Sequence, residues 1–275
     1  MKKRLLLAFI TSTILCFTII IVASNRWLKV NEVPVYYYNL PEFLNGFRIL
    51  HITDLHANNP NRMSLDIWAA IESLDFDIAV ITGDIIFRKP ENLRPHLPGI
   101  TELASRVPTF FIEGNHDWRY IRQITYMLNQ AGVTTLLNEN LTFRVGETAT
   151  ESIEIIGLRD FIGMNAEIYY RRTGLFLNES DLFRLVLVHK PHAYPAIPRA
   201  NMELVLAGHT HGGQIRLPFA PTLFATGQGI LPRFGDGLYD FGNSKMYISR
   251  GTGTSTLPIR FFNRPAISII ELRCK

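Results

Sequence analysis

The chain opens with an uncharged, mostly apolar run from Leu5 to Asn25, preceded by Lys2, Lys3 and Arg4. The hydrocarbon core of a bilayer needs roughly 20 helical residues, and this run supplies them, so it reads as one membrane-spanning helix. Val22-Ala23-Ser24 offers a competing signal-peptide cleavage site, but the apolar core of such peptides is usually only about 7–15 residues. From Phe47 the pattern changes. Phe47 to Ile52 reads as a strand that runs into Thr53-Asp54-Leu55-His56, residues 64–74 carry apolar positions at helical spacing, and Asp77 to Ile81 reads as a buried strand. A helix is expected near 98–106, a strand at 109–112, and a helix over 118–130 that Gly132 stops. Further strands are expected at 141–146, 152–157, 184–188, 203–207, 245–249 and 266–271. Helices and strands alternate early and strands dominate later, which predicts an α/β protein built around two sheets. The stretch 218–242 is rich in Gly, Pro and aromatic residues with little periodicity; so long a connection commonly shapes a site.

The length of 275 residues suits one large domain behind the apolar segment. The expected division is a basic flank at 1–4, an anchor at 5–25, a juxtamembrane segment and first strand at 26–46, and the main domain at 47–275. The net charge of +4 is mild and much of it sits in the N-terminal flank and in arginines near the C-terminus. That distribution argues against a nucleic-acid partner. Of the two cysteines, Cys16 lies in the apolar run and Cys274 is next to last, which argues against a structural disulfide and allows no thiolate zinc site to be drawn. Lys2, Lys3 and Arg4 outweigh Arg26 and Lys29, which Glu32 offsets. The positive-inside bias therefore predicts a cytoplasmic N-terminus and a main domain on the outer side. Trp27 and Tyr36-Tyr37-Tyr38 fit either headgroup level or an ordinary first strand, which aromatic residues also fill.

Strand after strand runs into residue types that bind metals. The order is Asp54 and His56, Gly83-Asp84, Gly114-Asn115-His116-Asp117, Val188-His189, and Gly208-His209-Thr210-His211-Gly212-Gly213. Groups at the carboxyl ends of sheet strands converge on one crevice, and glycines beside them let backbone approach a bound ion closely. Each piece alone is weak, since Asp-Leu-His is usually only a strand end and Gly-Asp usually only a turn. Their order is specific.

In that order the five blocks resemble the calcineurin-like metallophosphoesterases, from about residue 47 to the C-terminus. Gly-His-Thr-His-Gly-Gly-Gln at 208–214 and Ser249-Arg250-Gly251-Thr252-Gly253-Thr254-Ser255 look like the bacterial membrane-associated branch. That branch includes small phosphodiesterases and UDP-2,3-diacylglucosamine pyrophosphatases of lipid A synthesis. The resemblance implies an α/β fold, a four-layer αββα sandwich of two mixed sheets flanked by helices, here preceded by one N-terminal transmembrane helix. It also implies two divalent metal ions, manganese first, with iron or zinc as alternatives. Asp54, His56 and His211 would hold one, and Asn115, His189 and His209 the other, with Asp84 bridging. His116 would face the substrate phosphate as the catalytic group. The implied reaction is hydrolysis of a phosphodiester or pyrophosphate by metal-activated hydroxide.

Phe87 stands three residues after Asp84, where protein phosphatases of the family carry a second aspartate. This argues against protein phosphatase activity and leaves His116 without an identified partner. Asp160, Arg250 and Arg260 are candidate substrate contacts, against the commoner readings of turn residue and of solvated or structural arginine. Phe219, Leu223, Phe224 and Leu231 are read as an acyl-chain groove, a surface pressed on the bilayer, or a second small core. The expected setting is a single-pass protein of the bacterial inner membrane, catalytic domain on the periplasmic side, acting on a phosphate ester that is lipid-linked or from the envelope. The oligomeric state is not legible. Two other classes remain: a tethered metal-binding protein without turnover, disfavoured by the complete ligand set, and a Ser/His hydrolase on Ser255, whose surroundings are not a nucleophile elbow.

Overall fold

The computed structural model describes residues 2–57, 63–148, 150–160, 166–175, 180–196, 202–213, 215–217, 222–254 and 259–275. Phe219 and Ser255 lie outside them. Helix α1 (Lys2–Arg26) is long and apolar enough to cross a membrane, and its apolar side chains, among them Leu5, Phe9, Ile14 and Phe17, are exposed.

Among the described residues the strands form two six-stranded sheets. The first contains β1 (Lys29–Tyr37), β2 (Arg48–Ile52), β3 (Ile78–Thr82), β4 (Thr109–Ile112), β5 (Thr134–Thr135) and, from the far end of the chain, β14 (Ala266–Cys274). Its order is β1-β14-β2-β3-β4-β5. The second contains β6 (Glu139–Arg144), β7 (Ser152–Gly157), β8 (Phe183–Leu187), β9 (Leu204–Ala207), β12 (Gly237–Phe241) and β13 (Ser244–Ile248), in the order β12-β13-β9-β8-β7-β6. A small hairpin, β10 (Phe224–Ala225) with β11 (Gly229–Ile230), stands apart.

The layering follows from which residues are apolar on both faces. In β3, β4, β8 and β9 every residue is buried, the mark of parallel strands covered on two sides. Between the sheets pack Ile49, Val80, Phe110 and Ile112 from the first and Ile153, Leu185, Leu187 and Leu206 from the second. The outer face of the first sheet, through Leu50, Ile81 and Phe111, packs on α2 (Met63–Glu72), α3 (Leu97–Arg106) and α4 (Ile121–Gln130), which contribute Ile67, Ile100, Leu103, Ile124 and Leu128. The outer face of the second, through Val186 and Val205, is covered by Ala193 and Tyr194, with Tyr169 of α5 (Ala166–Thr173) against them. The result is the expected mixed α/β sandwich of two mixed sheets with helices outside.

Strands β2, β3 and β4 run parallel, as do β7, β8, β9 and β13. The segments leaving β2, β3, β8 and β9 carry the metal-binding residue types, so the carboxyl ends of both sheets meet at one edge of the sandwich.

Two sequence expectations need adjustment. β1, in the 26–46 segment where a first strand was expected, pairs in parallel with β14 along its whole length, Lys29 with Ala266 to Tyr37 with Cys274. The same pairing extends β14 beyond the expected end at 271. Tyr36, Tyr37 and Tyr38 sit at the opposite end of β1 from Trp27; Tyr37 is buried, its ring 5.5 Å from that of Phe183, so it belongs to the core and not to a headgroup belt.

Candidate metal centre

Three of the turns that leave the sheets hold between them five side chains in a conformation that L-residues rarely adopt. Asp54, His56, Asp84, His209 and His211 have φ of 49, 44, 51, 70 and 49°. Left-handed backbone costs a non-glycine residue about 1–3 kcal/mol and gathers at functional sites, where surrounding structure over-determines it. Here the clamp is close backbone packing. A Cβ on Gly83 would stand 2.4 Å from the Gly114 nitrogen, and one on Gly208 would stand 2.1 Å from Thr53 Oγ1 and 2.4 Å from Asp54 Oδ2. Only glycine lets these loops approach so closely.

The side chains so placed form three interlocking groups: Asp54, His56 and His211; His56, Asp84 and His116; and Asp84, His189 and His209. His56 Nε2 lies 3.1 Å from His211 Nε2 and 3.8 Å from Asp54 Oδ1, and His211 Nε2 lies 3.4 Å from Asp54 Oδ1. Asp84 Oδ2 is 3.2 Å from His189 Nε2, 3.7 Å from His56 Nε2 and 3.9 Å from His116 Nε2. His209 Nδ1 and His189 Nε2 are 3.2 Å apart. A first-row cation holds N and O donors at about 2.0–2.2 Å, so neighbouring donors around it stand roughly 3–3.5 Å apart. The observed spacings are close to that. The donor set also fits: Asp54 Oδ1 and Asn115 Oδ1 are buried without a hydrogen-bond partner, an arrangement that is costly unless something else satisfies them.

Outer contacts aim these donors. The backbone N–H of His209 and the hydroxyl of Thr53 both donate to Asp54 Oδ2, at 2.8 and 2.9 Å, which leaves Oδ1 for the cluster. His189 Nδ1 donates to the Thr82 carbonyl at 2.8 Å, so Nε2 is the nitrogen turned inward. Asn263 Nδ2 donates to the carbonyl of His211 at 2.6 Å.

Burial decides the protonation of the metal-free site. It pushes the Asp54 carboxyl up to about 6, pulls His56 down to about 3, and pulls His209 and His211 well below the ordinary imidazole value. Burial also opposes charge on Asp84 and His189, but there mutual attraction wins: Asp84 stays ionised and His189 is raised to about 10. Neutral imidazoles with free lone pairs, beside carboxylates, suit a borderline divalent cation.

The remaining candidates have separate fates. His116 sits at the rim, its side chain 29 % exposed; its backbone N–H donates to Asp84 Oδ1 at 2.8 Å, and its ring stacks on Phe87 with centroids 5.6 Å apart. Phe87 thus occupies the space beside His116. Asp117 turns the other way, accepting the backbone N–H groups of Ile85, Ile86 and Gly114. Asp160 forms an ion pair at 2.7 Å with Lys190, next to His189. Arg250 donates to Asp236, which also receives Arg216, and lies beside Gly212. Arg260 does not fit the expected substrate contact. It is fully buried, and its guanidinium donates to the carbonyls of Arg250, Gly251 and Gly253. It braces the turn behind His211. Asn263 and Asp236 escaped the sequence reading, because each works on backbone or on an arginine and not in a metal-ligand pattern.

Residues 47–213 match the calcineurin-like phosphoesterase family. An uncharacterized metallophosphoesterase of Campylobacter jejuni is 31% identical over 278 residues, covering 98% of this chain and 71% of that protein. Phosphodiesterase YaeI of Escherichia coli is 30% identical over 234 residues, 82% of each chain. A zebrafish (Danio rerio) protein named transmembrane protein with metallophosphoesterase domain is 27% identical over 99% of this chain and 63% of its own length. The extent of these matches, laid over a cluster of Asp and His side chains at the joined ends of two sheets, establishes that the chain belongs to the calcineurin-like phosphoesterases and is a metal-dependent phosphoesterase.

Proposed function

We propose that this chain is a membrane-anchored phosphohydrolase that opens phosphodiester or pyrophosphate bonds at a two-cation centre. Asp54, His56 and His211 hold one cation, Asn115, His189 and His209 hold the other, and Asp84 is shared. The observation that carries this reading is the Asp84 carboxylate, whose Oδ2 faces His56 on one side and His189 on the other at 3.7 and 3.2 Å. Manganese, iron and zinc all suit such a donor set. When bound, the pair supplies Lewis acidity that acidifies a water and neutralises charge on the phosphoryl oxygens.

The chain's own catalytic group is His116. Held at the rim by Asp84 and Phe87, its imidazole is placed to hydrogen-bond the phosphoryl oxygens or to protonate the leaving oxygen. With Phe87 against it where protein phosphatases carry a carboxylate, the site is read as acting on diesters or pyrophosphates. Helix α1 is the anchor, and the basic flank Lys2, Lys3 and Arg4 sets the catalytic domain on the outer face of a bacterial inner membrane. The name of the zebrafish relative supports the anchoring.

A turnover screen of Mn-loaded full-length protein tests the proposal, comparing aryl phosphomonoesters, aryl phosphodiesters and nucleotide-diphospho-lipids. Diester or pyrophosphate turnover well above monoester turnover is expected. Activity confined to monoesters, or none on any of the three, would overturn it.

A further inference from the structure

We infer that this protein makes a second membrane contact beside α1, an apolar apron formed by the 259–262 segment and the β10–β11 hairpin. This apron seats the metal centre against the phospholipid surface, so that the phosphate reaching it is carried on a lipid headgroup. The inference rests on reading α1 as a membrane span.

The first support is how the domain grips the helix. The backbone N–H of Arg260 donates to Asn25 Oδ1 at 2.8 Å, and the Arg260 carbonyl accepts from Asn25 Nδ2 at 2.7 Å. The ring of Phe261 lies 5.1 Å from that of Phe17. Phe17 is about 12 Å along the helix from Asn25, at 1.5 Å per residue. Phe261 therefore packs beside the apolar span itself, and a bilayer around α1 meets the 259–262 segment as well. Its neighbours Ile259 and Phe262 are exposed.

The second support is continuity. Phe261 pairs with Ile215 in a parallel bridge, and the Arg216 N–H donates to the Phe261 carbonyl at 2.9 Å. Leu217 is exposed beyond it, and in the hairpin Phe224, Ile230 and Leu231 are 54, 81 and 70% exposed. Exposed apolar side chains gathered on neighbouring segments mark an interaction site; joined to a membrane helix, their partner is the bilayer. Arg233, exposed two residues after Leu231, adds a cation for anionic headgroups.

The third support is strain. Outside the metal centre, the described non-glycine residues with positive φ are Asn138, Leu231 and Phe262, at 62, 51 and 49°. Asn tolerates that region, whereas bulky apolar residues do not. Leu231 and Phe262, the latter with its ring 4.6 Å from that of Phe261, thus combine strained backbone with exposed apolar side chains. The apron also adjoins the centre: the carbonyl of Phe224 lies 2.7 Å from where a Cβ on Gly213 would stand, two residues from His211. Asn263, next to Phe262, binds the His211 carbonyl.

The test uses the full chain in phospholipid nanodiscs, with Cys16 and Cys274 replaced by Ser and single cysteines placed at Ile230, Leu231 or Tyr126. Tyr126 is exposed on α4 beside β5, at the opposite edge of the first sheet from β1. Each carries an environment-sensitive fluorophore, and its depth is read from quenching by spin-labelled phospholipids. Probes at 230 and 231 should lie about 5–10 Å below the phosphates, as interfacial elements do, and the probe at 126 in water. Carbonate extraction of native membranes separates the two failures. A chain that stays in the membrane while the 230 and 231 probes remain in water overturns this inference alone. A chain released by carbonate overturns the anchor, and the inference with it. Burial of those probes in detergent-free protein without lipid, through self-association, would also overturn it in favour of a second copy as partner.

Discussion

His116 shows how much one side chain's surroundings decide. The carboxylate its ring faces, Asp84 at 3.9 Å, is shared with His56 and His189; an aromatic wall, Phe87, and a backbone bond to Asp84 fix its place. Replacing His116 with Ala should lower kcat by about 10²–10⁴, the usual worth of such proton transfer, while leaving bound cation unchanged. Loss of cation together with activity would make it a ligand instead. His51, deeper in the first sheet, obeys different physics. Burial pulls it down to about 3, and its Nε2 bonds Thr82 Oγ1 at 2.7 Å. Unfolding returns it to about 6.5, so the unfolded chain takes the proton first. Stability from this residue is intact above pH 6.5 and falls by up to about 1.4 kcal/mol per unit as the pH drops toward 3. Urea unfolding at pH 7 and pH 5 should show a smaller acid loss for His51→Gln; an equal loss would show that His51 is not the group responsible. At this scale the ligand types were legible, because their order along the chain is itself a pattern. Arg260 was not, because an arginine that caps carbonyls inside a protein reads the same as one reaching for phosphate until burial is known.

At the scale of elements, the site depends on turns that only particular residues permit. Gly208 lets the turn after β9 lie directly on Thr53 and Asp54. Gly208→Ala should destabilise the protein by about 1–3 kcal/mol, as overpacking of a tight contact does, and should weaken cation binding because Asp54 must move. A denaturation midpoint within error of wild type would show that the turn has slack. The strands that carry the site, β2, β3, β8 and β9, were legible as short apolar runs. A first strand was expected within 26–46, but its bounds were harder to read, because β1 contains Pro34 and charged positions. Proline is tolerated there because β1 is an edge strand, a fact of pairing that no local pattern reveals. β10 to β12, in the stretch read as irregular, were missed for a similar reason, being very short or, like β12, mostly exposed.

Across the whole molecule, the parallel strands of both sheets aim their carboxyl ends at one edge, and that edge gathers the Asp and His side chains of the blocks picked out along the sequence. Asp54 Oδ1, buried without a hydrogen-bond partner, and a set of imidazoles that burial keeps mostly neutral would be poorly satisfied there without cations, which is why the fold and the metal requirement belong together. Helix α1 enters the same scheme through Asn25 and Arg260, so it is gripped by the segment that braces His211. The most direct test of the account is the number of divalent ions per chain, measured by elemental analysis together with turnover, for wild type and Asp84→Ala. The account predicts two ions per wild-type chain, fewer in the variant, and turnover at background once the shared carboxylate is gone. Two ions and undiminished turnover in Asp84→Ala would contradict it.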